Sequence, residues 1–236
     1  PGETVTCTFT NTKRPEAGGT IIIKKDAVPN DPQVFNFTRS FGLPFDLDDD
    51  GPGGSSLLNT QTFPNLQPGL YTDQETALPG QGVPGQQGWY LFYLDSQGSL
   101  QQGSVCKYPD GTTTVFGSVA TINLTAGATV TCTFSNFKAG RVIVDKVTVP
   151  AGDPQVFQFN SAWGNFSLTH GQSHNSGLLA PIAPGGYLLN ETLPQGWTTS
   201  IVCIDPDRGT TAAGPTSVNI DLDPAETIRC TFTNTK

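Results

Sequence analysis

Apolar and polar residues alternate along a peptide near the middle of the chain. Val130, Cys132, Phe134 and Asn136 take every second position, and threonine or serine fills the positions between them. Because successive side chains of a β-strand point to opposite faces, this pattern predicts a strand with one buried face and one half-exposed threonine face. Closely related peptides occur at residues 7–13, 132–138 and 230–236, and the first and last of these are identical.

Two longer segments also repeat, and they do so in the same order along the chain. Residues 19–37 match residues 140–159, and residues 68–75 match residues 184–191. Within each repeat, the two segments are followed by one copy of the alternating peptide. Repetition at this spacing is typical of tandem domains.

The repeat predicts domains at residues 19–138 and 139–236, each near the usual domain size. The alternating peptide ends each of these two domains, and we call it the closing peptide. It occurs three times, at residues 7–13, 132–138 and 230–236, so the copy within residues 1–18 belongs to neither domain. We interpret residues 1–18 as the closing strand of an upstream or neighbouring sandwich, followed by a linker.

Composition supports strands and turns rather than helices. The chain contains 27 glycines and 19 prolines, and only 14% of its residues are charged. No stretch shows sustained apolar spacing of three and four residues, whereas glycine and proline recur at the short intervals that a sandwich requires for its turns. The predicted fold is therefore all-β, with two tandem β-sandwich domains.

The cysteines follow the repeat. Cys106 with Cys132, and Cys203 with Cys230, form two candidate disulfides of nearly equal sequence separation. Closing loops of this length stabilises each domain by roughly 3–4 kcal/mol in the chain-entropy description. Repeated pairing predicts an oxidising, extracellular location, either secreted or at the cell surface.

Cys7 is the cysteine without a partner in this scheme. Its position in the repeat is that of Cys132 and Cys230, but no equivalent of Cys106 or Cys203 precedes it. One interpretation is a longer array whose preceding domain is missing from this sequence, and the other is a disulfide to a neighbouring subunit. Both interpretations predict a linear assembly of adjacent repeats or of copies of the chain.

Several functions find no support in the sequence. The net charge of -8 argues against nucleic-acid binding, because no basic patch is available to displace counterions from phosphates. We find no apolar run long enough to cross a membrane and no signal peptide. Without a phosphate-binding loop or a Gly-x-Ser-x-Gly motif, we expect no cofactor, no small-molecule substrate and no enzyme activity on an external substrate.

Four motifs together carry a family resemblance. They are Ile-Ile-Ile-Lys-Lys-Asp at residues 21–26, Pro-Gly-x-Tyr-x-x-x-Glu at 68–75, Leu-Pro-Gln-Gly-Trp at 193–197, and the closing Phe-x-Asn-x-Lys. In combination the chain resembles the prealbumin-like, or collagen-adhesin B-type, repeats of bacterial surface proteins and pilins. The resemblance covers both predicted domains and implies that each is an Ig-like, prealbumin-like sandwich.

The resemblance also implies a self-generated isopeptide bond in each domain. The implied residues are Lys25, Glu75 and Asn136 in the first domain, and Lys146, Glu191 and Asn234 in the second. Burial favours the neutral amine of the lysine and the acid form of the glutamate, so that the amine attacks the asparagine while the glutamate shuttles protons. Asn11 would be the acceptor for a lysine elsewhere. The alternative is that these residues are ordinary hydrogen-bonded polar groups.

Metal binding is a weaker interpretation of two other segments. Asp46, Asp48 and Asp50 resemble the start of a calcium loop, but leucine stands where the later bidentate acid belongs. His170 and His174 lie four apart in what we expect to be a surface loop, without a third zinc ligand. The sequence thus predicts no metal site, with calcium at the three aspartates as the alternative. Glycosylation at the Asn-x-Ser/Thr sites stays open.

The leading functional hypothesis is a structural protein: sandwich domains building a bacterial surface stalk, fibre or filament, with strand exchange between subunits as an option. The alternative is an adhesin that binds a host or matrix ligand through the insertions in the first domain. Those insertions lie around residues 80–87 and between Trp89 and Cys106, where Tyr90, Phe92 and Tyr93 cluster.

Overall fold

The structure, a computed structural model, describes residues 1–11, 16–50, 57–76, 88–94, 100–181 and 186–236. All regular structure within these ranges is β, which confirms the predicted fold class. In the same residues we find no helix that could cross a membrane.

The strands of the first sandwich are β1 (Gly19–Val28), β2 (Phe35–Arg39), β3 (Phe45–Leu47), β4 (Thr60–Leu66), β5 (Gly69–Glu75), β6 (Trp89–Leu94), β7 (Leu100–Gln102), β8 (Ser104–Lys107), β9 (Thr113–Phe116), β10 (Val119–Leu124) and β11 (Thr129–Lys138). One sheet has the order β4-β1-β11-β6-β7, with β8 pairing with both β11 and β9, and the other has the order β10-β5-β2-β3.

The strands of the second sandwich are β12 (Arg141–Val149), β13 (Phe157–Ser161), β14 (Phe166–Leu168), β15 (Ser173–Asn175), β16 (Tyr187–Thr192), β17 (Thr198–Ile204), β18 (Thr211–Gly214), β19 (Ser217–Ile220) and β20 (Thr227–Thr235). Its sheets have the orders β15-β12-β20-β17 and β14-β13-β16-β19-β18.

The first and last strands of each sandwich are adjacent and parallel. β1 pairs with β11 along nine residues, so that Ile23 lies opposite Cys132, and β12 pairs with β20 in the same way. Such parallel pairing needs a long crossover, which here is the whole remaining sandwich. The closing peptide is therefore a central strand, and its alternate residues face the core as predicted: Val130, Cys132, Phe134 and Asn136 are fully buried.

Each sandwich has its own apolar core with a repeated aromatic arrangement. In the first, Phe35 meets Trp89 edge to face, with ring centroids 5.3 Å apart; in the second, Phe157 meets Trp197 in the same way at 5.2 Å. This geometry is favourable for aromatic pairs. Trp89 is thus a core residue, like its counterpart, rather than part of an exposed aromatic surface.

The insertion after Trp89 changes one strand. In the second sandwich β17 pairs with β20 without interruption, from Thr198 to Ile204. In the first, β6 pairs with β11 only opposite residues 136–138, turns back through β7, and β8 then resumes pairing opposite residues 131–133. The insertion therefore forms a β6–β7 hairpin at the point where the strand would otherwise continue.

The connection between the sandwiches is short and held by backbone hydrogen bonds. Only Ala139 and Gly140 separate β11 from β12. The amide of Ala139 donates to Gly88, on the first sandwich, and Gly140 exchanges two backbone hydrogen bonds with Leu179, on the second. A side chain at Gly140 would collide with Leu222, so the close approach requires glycine.

Candidate functional site

A lysine lies inside each sandwich, on the first strand. Lys25 and Lys146 are 0% and 1% exposed, and each shares a face of its strand with core residues, as the alternation predicts. The amine of Lys25 lies 4.1 Å from the centre of the Phe35 ring, and that of Lys146 lies 4.1 Å from the centre of the Phe157 ring. An aromatic face stabilises the cationic form of an amine, so this contact by itself opposes the loss of a proton.

Backbone carbonyls fix the position of both amines. Lys25 Nζ donates to the carbonyl of Phe134 at 3.0 Å and to that of Asp26 at 3.1 Å. Lys146 Nζ donates to the carbonyl of Phe232 at 3.1 Å. In each case the acceptor on the last strand lies two residues before the asparagine of the closing peptide, so the amine is held beside that strand.

A glutamate from the opposite sheet lies against the asparagine. Asn136 Nδ2 donates to Glu75 Oε1 at 2.9 Å, and Asn234 Nδ2 donates to Glu191 Oε1 at 3.0 Å. In the second sandwich the same Glu191 oxygen lies 3.1 Å from the amine of Lys146. In the second sandwich the glutamate thus contacts both reaction partners, in the arrangement that a proton shuttle needs.

Burial shifts the pKa values of Lys25, Glu75 and Lys146 in the directions that favour their neutral forms. It lowers the pKa of Lys25 to about 8, although the charges of Glu75, Asp26 and Asp49 oppose the shift. It raises the pKa of Glu75 to about 7, against the charge of Lys25 and the hydrogen bond from Asn136. Burial also lowers the pKa of Lys146, with Glu191 opposing.

These positions suit amide exchange between a lysine and an asparagine. The neutral amine would attack the carboxamide carbon, the carbon–nitrogen bond to Nδ2 would break, and ammonia would leave with a proton supplied through the glutamate. No electrons are gained or lost. Fixing the amine beside the carboxamide supplies the effective concentration that an amide needs as an electrophile.

The two sites differ at the carboxamide oxygen. In the second sandwich, Thr199 Oγ1 donates to Asn234 Oδ1 at 2.8 Å. Asn136 Oδ1 is buried without a hydrogen-bond partner among the described residues, because Leu91 lies opposite Asn136 where Thr199 lies opposite Asn234. Sequence comparison had not singled out Thr199, since a cross-strand neighbour becomes visible only once the register is known.

A second difference lies at the end of the first strand. The amide of Ala27 donates to Asp49 Oδ2 at 2.8 Å, whereas the equivalent amide, of Thr148, donates to His170 Nδ1 at 2.9 Å. A carboxylate near Lys25 therefore has a ring nitrogen as its counterpart near Lys146. His170, which the sequence suggested only as a weak zinc ligand, thus accepts a backbone hydrogen bond at the end of the first strand.

In each sandwich, one disulfide joins the last strand to its antiparallel neighbour. Cys106 is bonded to Cys132 and Cys203 to Cys230, with Cα atoms 3.9 and 4.0 Å apart. In each case the two cysteines lie directly opposite each other in the ladder. Cys7 is exposed and unbonded.

The first two aspartates of the calcium candidate lie in different environments. Asp46 is exposed and accepts a hydrogen bond from Asn36, whereas Asp48 is buried beyond the end of β3. The group of three acidic side chains that does converge, among the described residues, is a different one: Asp205, Asp207 and Glu226. Strand β3 ends between the first two aspartates, which places their carboxylates in different environments, and residues 51–56 of the candidate loop lie outside the described residues.

The expectation that both histidines lie in a surface loop is wrong for the second of them. His174 lies on strand β15, and its ring stacks on Phe166 with centroids 3.8 Å apart. His170 is held by Thr148, as described above. The two rings are occupied by separate structural contacts.

The insertion residues are only partly described. Phe92 packs near Phe137 with ring centroids 6.4 Å apart, and Tyr90 lies beside Phe92. Residues 80–87 lie outside the described residues, as does the side chain of Tyr93.

The last lysine of each closing peptide makes a contact that the sequence did not predict. Lys138 Nζ lies 2.5 Å from Asp31 Oδ2, and Lys236 Nζ lies 3.5 Å from Asp153 Oδ2. Both aspartates belong to the repeated Asp-Pro-Gln motif. The ion pair therefore joins the end of the last strand to the loop after the first strand in both sandwiches.

The second sandwich is similar in sequence to a known protein family. Residues 142–236, which hold nearly all of the second sandwich, match a family described as the prealbumin-like fold domain. The second sandwich is thus similar to a prealbumin-like domain. The first sandwich repeats its strand order around the first and last strands, and it carries the same buried lysine, glutamate and asparagine.

Solved structures similar to this chain include the major pilin of Streptococcus pyogenes, at 14% identity and a TM-score of 0.36, over 94% of this chain and 99% of the pilin. A C-terminal fragment of the pilus adhesin SpaC from Lactobacillus rhamnosus GG is similar at 17% identity and a TM-score of 0.27, over 93% of this chain and 97% of the fragment.

A bacterial adhesin from Mobiluncus mulieris, containing intramolecular disulfide, isopeptide and ester bond cross-links, is similar at 12% identity and a TM-score of 0.29, over 70% of this chain and 57% of the adhesin. A comparison with curated proteins found no match.

Proposed function

We propose that the chain is an extracellular structural protein of a bacterial surface, in which tandem prealbumin-like domains at residues 19–138 and 139–236 carry tension along a stalk, fibre or filament. The observation that supports this most is the buried lysine, glutamate and asparagine set between the first and last strands of each sandwich. The same set occurs twice, on equivalent strands.

The strand order suits a load that enters and leaves at the two ends of a domain. Force applied at the start of β1 and at the end of β11 pulls these adjacent parallel strands in opposite directions along their length. The ladder hydrogen bonds between them are then loaded together rather than one after another. The same holds for β12 and β20.

An isopeptide bond would make this resistance covalent. A bond from Lys25 to Asn136 would take every residue between them out of the load path, and a bond from Lys146 to Asn234 would do the same in the second sandwich. The disulfides add a further tie, from the last strand to its neighbour.

The connection between the domains supports the same role. Ala139 is fully buried, and the backbone hydrogen bonds at Gly140 tie the link to the second sandwich. A link that is buried and hydrogen-bonded transmits force without the slack of a flexible linker. The partners we propose are adjacent repeats or further copies of the same kind of domain.

Single-molecule pulling tests the load-bearing role. We expect the oxidised wild-type chain to show no unfolding step from either sandwich. Replacing Asn136 by Ala should release roughly 370 Å of chain from the first sandwich, and replacing Asn234 by Ala should release roughly 300 Å from the second, each less the loop that its disulfide retains.

Each variant is the other's control, because one sandwich stays crosslinked in every molecule. Full-length unfolding steps in the oxidised wild type, at forces equal to those of the two variants, would contradict the proposed function.

Adhesion through the first domain is the second candidate. The observation in its favour is the β6–β7 hairpin, which has no counterpart in the second sandwich. Shortening the chain from Phe92 directly to Gly103 should abolish binding to a ligand if the hairpin is adhesive, while leaving the crosslinks unchanged. Retained binding to a panel of matrix proteins would contradict adhesion through this hairpin.

A further inference from the structure

The N-terminal segment, residues 3–13, carries the sequence of a buried central strand, but its described residues are exposed. Residues 3–13 differ from residues 226–236 only at the two positions occupied by Ile228 and Arg229. Residues 1–11 are exposed and make no ladder pairing with the described strands, with Val5 77% and Phe9 90% exposed.

The equivalent side chains in the other two copies lie in the cores. Val130 and Ile228 correspond to Val5, and Phe134 and Phe232 correspond to Phe9; all four are 0% exposed. A strand with this alternation, when it is alone, exposes its apolar side chains to water and leaves its backbone N–H and C=O groups without strand partners. The segment therefore fits a place between two strands rather than a place in solvent.

Both such places in this chain are filled. β11 lies between β1 and its antiparallel partners β6 and β8, and β20 lies between β12 and β17. An intact second copy of the chain offers the same two filled positions, so it has no vacancy for the segment.

We propose that residues 3–13 form the last strand of a third prealbumin-like sandwich, one that lacks a last strand of its own. The inference rests on the proposed role in a linear assembly and names the partner within it. The segment would pair in parallel with the first strand of that sandwich, as β20 pairs with β12.

The two filled copies define the chemistry of this partner. It carries a cysteine opposite Cys7, as Cys203 lies opposite Cys230, and an inward lysine and glutamate beside Asn11. It also carries an aspartate for Lys13, whose counterparts Lys138 and Lys236 pair with aspartates. The disulfide would form as the two thiols lose two protons and two electrons to a low-molecular-weight disulfide such as oxidised glutathione.

Deleting residues 226–236 from the full chain tests the proposal, because it creates an acceptor of this chemistry in the same molecule as the donor. In the presence of oxidised glutathione, we expect the segment to fill the vacated position and to give a Cys7–Cys203 disulfide, detected by peptide mass spectrometry. Insertion between molecules gives head-to-tail oligomers and insertion within one molecule gives a monomer, and either supports the proposal.

Two further variants of the truncated chain separate strand insertion from random thiol pairing. Phe9→Asp alters the inward face and should lower the yield of the Cys7–Cys203 disulfide at least tenfold. Thr6→Arg alters the outward face, to the residue found at position 229, and should leave the yield unchanged. An equal yield in all three forms, or no such disulfide in a folded truncated chain, would overturn the proposal.

A measurement on the untruncated chain decides the matter where the truncated chain does not fold. The double substitution Ile228→Val and Arg229→Thr gives β20 the N-terminal sequence. We expect it to keep the Cys203–Cys230 disulfide and to unfold within a few degrees of the wild type. Loss of that disulfide would overturn the proposal. The role in carrying tension is tested separately, by single-molecule pulling, so the two proposals can fail independently.

Discussion

The two sandwiches hold the same three reactive residues, but the strand beside the asparagine differs. In the second, β17 runs without interruption and places the hydroxyl of Thr199 2.8 Å from the carboxamide oxygen of Asn234. In the first, the strand leaves the sheet after Leu91 to form the β6–β7 hairpin, and Leu91 lies opposite Asn136. An insertion can thus change the surroundings of a reactive group while leaving the group itself unchanged.

The difference has a chemical consequence if the crosslinks form as proposed. Negative charge develops on the carboxamide oxygen as the amine attacks, and a donor already placed there stabilises it. The second site has such a donor in Thr199, and the first has none among its described residues. We therefore expect the second sandwich to crosslink faster than the first.

The largest effect should come from removing a glutamate. Replacing Glu191 by Gln should slow crosslinking of the second sandwich by roughly 10²–10⁴-fold, the usual contribution of a positioned acid–base group. Ammonia loss per domain, measured by mass spectrometry after proteolysis, reports each sandwich separately. The first sandwich is the internal control, and a normal rate in the second would show that Glu191 moves no proton.

Exchanging the residues beside the asparagines should alter the difference in rate. Thr199→Val should slow the second sandwich by roughly 10²-fold, the typical effect of losing one such donor. Leu91→Thr should accelerate the first. Both rates can be followed from the start of refolding out of denaturant, using uncrosslinked chain from inclusion bodies. If Thr199→Val leaves the second rate unchanged, the hydroxyl does not stabilise the reaction.

The pH dependence of the first sandwich should be bell-shaped. The reactive form has a neutral Lys25 and a protonated Glu75, and it holds the same number of protons as the ion pair. With pKa values of about 8 and about 7, the pair holds that number chiefly between pH 7 and 8. The rate should fall about tenfold per pH unit on either side. A rate that rises steadily to pH 10 would contradict a role for the acid form of Glu75.

A smaller effect concerns stability rather than crosslinking. Asp73, on β5, is fully buried, and burial raises its pKa to about 7 although the charge of Arg39 opposes the rise. Its equivalent in the second sandwich is Leu189. Because the folded state then binds a proton that the unfolded state has released, Asp73 should cost the first sandwich about 1.4 kcal/mol of stability per pH unit as pH rises from about 4 to 7.

Replacing Asp73 by Asn should remove that part of the slope. Urea unfolding followed by the fluorescence of Trp89 measures it, in a background where Trp163 and Trp197 are replaced by Phe and Asn136 by Ala to prevent crosslinking. Identical slopes with and without Asp73 would show that its carboxyl group keeps an ordinary pKa in the folded state.

Much of the fold followed from alternation and repetition. The spacing of Val130, Cys132 and Phe134 predicted which face of β11 is buried, because a strand has a fixed period of two. The same parity predicted that Lys25 and Lys146 point inward. Side-chain direction along one strand is a local property, so the sequence was sufficient for it.

Properties that depend on pairing between strands were not predictable. The contact of Thr199 with Asn234 depends on the register of β17 against β20, and the isolated position of Asn136 Oδ1 depends on where the insertion leaves the sheet. The half-buried Arg39 and the buried Asp73 lie opposite each other on β2 and β5 but have no counterpart in the second repeat. Comparison of the repeats therefore gave no reason to connect them.

The most direct test of the proposed crosslinks is the intact mass of the folded chain, measured before and after reduction of the disulfides. After reduction we predict a mass lower than that of the sequence by two molecules of ammonia, and lower by only one in either Asn136→Ala or Asn234→Ala. Before reduction the mass should be lower by a further four hydrogens, two for each disulfide. A reduced wild-type mass equal to that of the unmodified sequence would contradict the account, since it would show that the buried lysines and asparagines remain separate.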